Sequence, residues 1–362
     1  MEITKREEKT EGEETASVKD LRSLSREELR RLITELSEKG YRGDQMYTWM
    51  HGHYREDIDE MGNIPKVLKK KLSDNNYGIL PVKKELVRVS ETDGTRKYLF
   101  RLYDGNMIES VFMKYEHGNS VCVSSQVGCR MGCRFCASTI EGLVRNLTAG
   151  EMLGQIYGII RDTGEKISNT VIMGSGEPLD NYDNAIRFIR LLTDEDGLNI
   201  SQRNVTLSTC GIVPMIKRLK EEDLKITLAV SLHAPNDDIR KEIMPIANKY
   251  PMNSIMEACR DYYDANKRRL TFEYSLIRDV NDSEEDALEL ASLLKGMNAH
   301  VNLIPVNPVE ERDYRQSEHS RIHAFQNKLE KNHINVTIRR DLGRDIDGAC
   351  GQLRRRYLRN SE

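Results

Sequence analysis

CVSSQVGCRMGCRFC, residues 122–136, holds four of the chain's seven cysteines. Three of them, Cys129, Cys133 and Cys136, are spaced C-x3-C-x2-C. The stretch begins in a β-rich run, VCVSS, and is followed by a helix-length amphipathic segment, TAGEMLGQIYGIIRD. The same alternation recurs downstream. NTVIMG (169–174), NVTLS (204–208), KITLAVSL (225–232), LTFEYSLI (270–277) and HVNLIPV (300–306) read as strands. Between them lie helical stretches such as MNSIMEACRDYYDAN and SEEDALELASLLKGM. Thr148 and Ser283 are candidate N-caps, with Glu151 and Asp286 three residues on.

Six strand–helix units predict an α/β fold with a parallel sheet wrapped by helices. Six are too few for a closed eight-fold barrel, so the expectation is a partial (β/α)6 TIM-like barrel over 118–340. INVTIRR (334–340) is a candidate edge strand.

Upstream, residues 82–117 alternate apolar and polar side chains around Asp93-Gly94 and Asp104-Gly105, which predicts a β-hairpin region. Residues 19–81 read as a small helical accessory domain. Ser25 with Glu28 forms a capping box there, Leu24 and Leu29 a staple, and Pro65 starts a short helix. Its composition fits an RNA-gripping module and a plain packing domain equally. Residues 1–18, MEITKREEKTEGEETASV, lack the apolar core of a signal peptide and read as a solvated lead-in. Residues 341–362 form a C-terminal loop and basic tail.

The chain has 362 residues, 38% apolar and 31% charged, with no stretch of membrane-span length. An odd number of cysteines without a secretion signal points to a reducing, cytoplasmic setting. The net charge of −3 does not announce a nucleic-acid binder, but KVLKKKL (66–72) and RRRYLR (354–359) are locally basic. They keep a phosphate-backbone partner open beside the reading as solvated surface.

The triplet's spacing narrows its chemistry. Zinc sites normally use four ligands in two separated pairs, and Cys210, Cys259 and Cys350 stand alone. A redox C-x-x-C at Cys133 and Cys136 leaves Cys129 unexplained. Iron–sulfur clusters use closely spaced thiolates, usually four. Three leave one iron with an open coordination site for a small chelating ligand. The triplet also falls at the C-terminal mouth of the strands, where such folds place their chemistry.

C-x3-C-x2-C with Phe135 before the last cysteine resembles the radical S-adenosylmethionine superfamily. That likeness implies a 4Fe-4S cluster on Cys129, Cys133 and Cys136, its fourth iron chelating S-adenosylmethionine. CVSSQVGC (122–129), GLVRNLTAGE (142–151), GEPLDN (176–181), SLHAPND (231–237), NLIPVNP (302–308) and DIDGACGQL (345–353) together resemble the RNA adenine C2-methyltransferases of the RlmN type. The alternative is the sister family that methylates C8 of the same rRNA adenine. It shares the cysteines but typically has GEA where this chain has Gly176-Glu177-Pro178. Ser175 departs from the small or methionine residue usual there.

The resemblance implies S-adenosylmethionine contacts at Gly176, Glu177, Ser208, Ser231, Leu232, His233 and Asn307. All of them sit at the C-terminal ends of the strands read above. It makes Cys350 and Cys122 a working pair, although Cys122 in a strand also reads as a buried small hydrophobe. It assigns the proton acceptor to Glu109 in MIESVFMKY. A carboxylate on that apolar strand face is costly unless paired. The plainer reading is an edge-strand glutamate reaching solvent. Cys210 matches no such role, and Cys259 reads as core.

The implied reaction follows from the substrate. Carbon 2 of adenine is electron-poor and does not attack an electrophilic methyl, which a radical route avoids. In that route Cys350 is methylated by one S-adenosylmethionine. A second, cleaved at the cluster, activates that methyl for addition to C2. Glu109 takes the C2 proton, and Cys122 releases the product through a transient disulfide. The implied partners are 23S rRNA near the peptidyl-transferase centre, the tRNA adenine 3′ of the anticodon, and an electron donor such as flavodoxin or ferredoxin. The implied state is a monomer. Lys69 to Lys71 and Arg354 to Arg359 are the candidates for gripping RNA. A non-catalytic iron–sulfur RNA-binding protein is the rival of a different kind.

Overall fold

The computed structural model describes residues 18–116, 118–309, 311–340, 342–346 and 352–359. Most of the lead-in, and Cys350 with its immediate neighbours, lie outside the described residues.

The N-terminal part comprises β1 (Lys19–Asp20), α1 (Arg26–Glu35), α2 (Tyr41–Tyr47), α3 (Lys66–Asp74) and β2 (Tyr77–Gly78). β1 pairs in parallel with β2, so the segment's two ends meet. The box expected at α1 is present: Glu28 N–H donates to Ser25 Oγ at 3.2 Å and Ser25 N–H to Glu28 Oε2 at 2.8 Å. Such a cap contributes about 1 kcal/mol. α2 runs on into a π-helical turn, Thr48–Gly52, that the sequence did not announce.

A meander of β3 (Val82–Val89), β4 (Arg96–Leu102) and β5 (Met107–Met113) follows. Then come β6 (Asn119–Cys122), a short hairpin of β7 (Gln126–Gly128) and β8 (Leu143–Asn146), and α4 (Ala149–Thr163). The rest alternates: β9 (Ile167–Ile172), α5 (Tyr182–Leu192), β10 (Val205–Thr209), α6 (Val213–Leu219), β11 (Thr227–Ser231), α7 (Asp237–Ile243), α8 (Met252–Asn266), β12 (Leu270–Leu276), α9 (Glu284–Leu294), β13 (Ala299–Pro305), α10 (His319–Lys331), β14 (Asn335–Ile338) and α11 (Gln352–Arg359). Thr148 and Ser283 cap α4 and α9 with full boxes.

One ten-stranded sheet runs in the order β14-β13-β12-β11-β10-β9-β6-β5-β4-β3. From β6 to β14 every pairing is parallel, and β14 is the edge strand the sequence suggested. The sheet does not close, so the partial barrel expected from six units is the one observed. The meander is not separate from it. β5 pairs antiparallel with β6 and extends the same sheet.

Strand parity sorts the side chains. Leu207, Leu228, Val230, Phe272, Val301 and Leu303 join the apolar cluster that contains the helices' buried faces. Ser208, Ser231, Glu273, Ser275 and Ile304 have the opposite parity and line an inner cavity.

The N-terminal part and the meander seat on α4 through three glycines one turn apart. A Cβ on Gly150 would overlap Asp20 Oδ2. One on Gly154 would overlap Arg22 Nη1 and stand 2.6 Å from Val82 Cγ2, and one on Gly158 would stand 2.8 Å from Phe100 Cε1. In an open helix, Gly→Ala stabilises by about 1 kcal/mol. Here Gly154→Ala is expected to destabilise by about 1–3 kcal/mol through overpacking. A lower urea midpoint at unchanged slope measures it, and a higher midpoint would contradict the packing described.

Candidate active site

The cysteine loop hangs from the β7–β8 hairpin. Gly128 has φ +75°, and a Cβ there would overlap the Gly142 carbonyl, so only glycine fits. Cys129 N–H closes the loop onto Gly142 O at 2.9 Å. Thr139 Oγ1 ties it inside, donating to Cys133 O at 3.0 Å and Cys136 O at 2.9 Å. Arg134 N–H anchors it to Ile243 O at 2.8 Å. The three cysteines line one side of a cavity of about 220 Å³ at the strands' C-terminal ends.

Burial pushes the Cys129 thiol up to about 12 and the Cys133 thiol well above its ordinary value. As thiolates the three need a cationic partner. Among the described residues no three His, Cys, Asp or Glu side chains converge on a single metal ion. Three sulfurs on one wall of a cavity fit a polynuclear iron–sulfur cluster. Cys210, unassigned in the sequence, also lines this cavity.

Opposite the loop stand the strand ends. Gly176 has φ +108°, and a Cβ would come 2.6 Å from Gln126 Cβ. Its missing side chain lets the β9 rim pack against β7. Glu177 is buried, and burial raises its proton affinity. Its Oε1 accepts from Leu179 N–H at 3.0 Å and its Oε2 from Cys210 N–H at 2.7 Å, tying the β9 rim to the β10 rim. Ser175 lies off the cavity, its Oγ 3.1 Å from that of Ser138, which lines it.

Ser208 and Ser231 face the cavity from β10 and β11. His233 has φ +57°, and its Nδ1 accepts from Ser275 N–H at 2.9 Å. Burial lowers it to about 3, so the ring is neutral and carries its hydrogen on Nε2. Its ring meets Phe135 edge-on, with centroids 4.9 Å apart. Asn281 Nδ2 holds the His233 carbonyl at 2.7 Å. Leu232 and Asn307 do not line the cavity. Leu232 is in the apolar core, and Asn307 is exposed beyond β13.

Sequence reasoning passed over three groups here. Arg240, fully buried on α7, donates to Cys210 O at 2.7 Å and Leu232 O at 3.2 Å, stapling two rim segments. Gln126 accepts from Glu177 N–H at 2.8 Å. Glu273 is buried on the cavity wall and accepts from Asn302 Nδ2 at 2.8 Å. Only Glu273 had a signal, parity within a strand already identified; Arg240 lies on a helix and Gln126 on a strand too short to carry a period.

A second cluster adjoins the first. Cys122 sits opposite Val111 in the β5–β6 register and packs with Val111, Met113, Val171, Met173 and Leu342. Met173 also lines the cavity. Glu109 lies two residues before Val111, on the same sheet face as Cys122. It is not a solvent-reaching edge glutamate. β5 lies between β4 and β6, Glu109 is 1% exposed, and Lys97 Nζ stands 3.0 Å from Oε2. Arg354 N–H, in the helix that begins two residues after Cys350, donates to Oε1 at 2.6 Å.

Much of the basic surface is engaged internally. Lys71 pairs with Glu38 at 2.7 Å, Arg354 with Glu141 at 2.9 Å, and Arg355 with Glu311 at 2.6 Å. Lys69 Nζ donates to Asp59 O at 3.0 Å. Cys259 is core, as expected. Among the described residues no helix is long and apolar enough to cross a membrane.

Residues 123–291 match the radical SAM superfamily, and residues 19–77 the ribosomal RNA large subunit methyltransferase N-terminal domain. The chain is 59% identical over 341 residues to the probable dual-specificity RNA methyltransferase RlmN of Lachnospira eligens, covering 94% of this chain and 97% of that one. It is 56% identical over 338 residues to the protein of the same name from Lachnoclostridium phytofermentans, covering 93% and 95%. The crystal structure of a radical SAM methyltransferase from Sphaerobacter thermophilus superposes with a TM-score of 0.87 at 42% identity, covering 92% of this chain and 98% of that one. With its thiol-lined cavity at the mouth of an open barrel, the chain belongs to the RlmN family of dual-specificity RNA methyltransferases within the radical SAM superfamily.

Proposed function

We propose that this enzyme methylates C2 of adenine in RNA, with Cys350 as methyl carrier, Glu109 as proton acceptor and Cys122 as resolving thiol. The single supporting observation is the meeting of Glu109, Cys122 and the C-terminal segment. β5–β6 register sets the first two on one sheet face, and α11 docks its backbone on Glu109.

Cys129, Cys133 and Cys136 would hold the 4Fe-4S cluster, and Gly176, Glu177, Ser208, Ser231 and His233 would form the wall for S-adenosylmethionine. When bound, that pair supplies one-electron chemistry at an otherwise unreactive carbon. The neutral His233 presents Nε2–H as a donor rather than a cation beside a sulfonium. Cys350 carries the methyl as a thioether and delivers it to C2. Glu109 accepts the C2 proton, the C2–H bond breaking with its electron pair left in the ring. Cys122 attacks the Cys350 sulfur to form a disulfide as the carbon–sulfur bond breaks. Its electron pair passes to the product carbon, which takes a proton in place of the hydrogen that the S-adenosylmethionine chemistry would remove from the methyl, and an external reductant resets the pair. Leu232 and Asn307 enter this reading only through their backbone or by rearrangement of the rim.

The substrates are 23S rRNA and the tRNA adenine 3′ of the anticodon, each unstacked into the cavity. The setting is the cytoplasm, the form a monomer, and the reductant flavodoxin or ferredoxin. Anaerobic incubation of reconstituted enzyme with rRNA fragments and tRNA, followed by nucleoside mass spectrometry, is expected to yield 2-methyladenosine. 8-Methyladenosine would overturn the regiochemistry, and unmodified RNA the reading.

A further inference from the structure

Lys97 and Glu109 form an ion pair almost sealed from solvent, with side chains 0% and 1% exposed and Nζ 3.0 Å from Oε2. Taking two charges out of water costs several kcal/mol per ion, and apolar residues of the same size are often at least as stabilising. Stability alone therefore gives a weak reason for this pair. Its location gives a stronger one. Lys97 lies opposite Val111 in the β4–β5 register, diagonal to Glu109 on the same face. The other carboxylate oxygen takes Arg354 N–H at 2.6 Å. Ser124 Oγ, two residues past β6, donates to the Glu109 carbonyl at 2.7 Å and fixes the strand beneath it. Among the described residues, one cation and one amide thus bear on the carboxylate.

We propose that Lys97 is a positioning residue that keeps Glu109 ionised and oriented while it serves as proton acceptor. The proposal rests on the role given to Glu109 above. Burial alone would hold a proton on the carboxyl group, and the adjacent ammonium opposes that. Among the described residues, the charged and titratable groups set against Glu109 are Lys97 on β4, Cys122 on β6 and Arg354 on α11. The Arg354 guanidinium is turned to Glu141, 2.9 Å away.

The test is the pH profile of RNA methylation by the reconstituted holoenzyme. Lys97→Met is expected to be about 100-fold slower near neutrality, the lower end of what a positioned base contributes. Its rate should climb as the pH is raised and Glu109 ionises without help. Iron content and the cluster's absorption should stay as in the parent enzyme. Lys97→Arg, which keeps the charge, should restore most of the neutral rate and remove that climb. A Lys97→Met enzyme as fast as the parent, or slowed equally at every pH, overturns the proposal. Should Lys97→Met fail to load its cluster, Lys97→Gln carries the same comparison. Glu109→Gln separates the two assignments. If it turns over normally, the base reading fails whatever Lys97 does. If it is inactive while Lys97→Met is normal, only the role of Lys97 falls.

Discussion

Cys133→Ala is expected to purify without its cluster and to methylate no RNA above background. The loop that carries Cys133 is stiffened by Thr139, by Arg134 and by the Gly142 closure, so no neighbouring thiol on it moves readily into the gap. Two sulfurs then remain for a group that needs three. The informative partner is Cys210→Ala. Cys210 lines the same cavity, and its backbone N–H, which alanine keeps, holds Glu177 at 2.7 Å. A four-cysteine zinc site built from Cys129, Cys133, Cys136 and Cys210 would lose its metal in either variant. A three-thiolate cluster should survive Cys210→Ala with its iron and sulfide intact. Equal metal loss in both variants, measured as iron, sulfide and zinc per chain, would contradict the assignment.

Cys122→Ala is expected to load its cluster, react once with RNA and stop. Its side chain packs with Val111, Met113, Val171 and Met173, away from the three ligand positions, so the substitution trims a small apolar contact at a cost of about 1 kcal/mol. What disappears is the sulfur that frees Cys350 from the product. A protein–RNA adduct that survives a denaturing gel should accumulate, with multiple turnover lost. The adduct should be absent from Cys122→Ala when Cys350 is also changed to Ala. Free turnover by Cys122→Ala would remove the resolving role.

The sequence made the fold legible where the signal was local. The capping boxes at Ser25, Thr148 and Ser283 need only residues three apart. The parallel strands showed as apolar runs at domain scale, and the cysteine triplet is contiguous. What stayed hidden depends on which strands lie side by side. Glu109 on an apolar face posed the question of a partner, but Lys97 answers from another strand through a cross-strand diagonal. Arg240 reaches the rim only through bonds from a helix to the Cys210 and Leu232 carbonyls, and Cys210 enters the cavity only because β10 neighbours β9. The β7–β8 hairpin that hangs the cysteine loop has strands of three and four residues, too short to carry a period. Leu232 and Asn307 mark the converse limit. Motif likeness places them at the rim, while strand parity turns the Leu232 side chain into the core.

The claim beneath all of this is that three thiolates hold a cluster with one open iron, where S-adenosylmethionine binds. Electron paramagnetic resonance of the anaerobically reconstituted, reduced protein, recorded with and without S-adenosylmethionine, tests it most directly. A cluster signal that changes when S-adenosylmethionine is added is the predicted result. A zinc-loaded protein with no signal, or a cluster signal indifferent to S-adenosylmethionine, would contradict it.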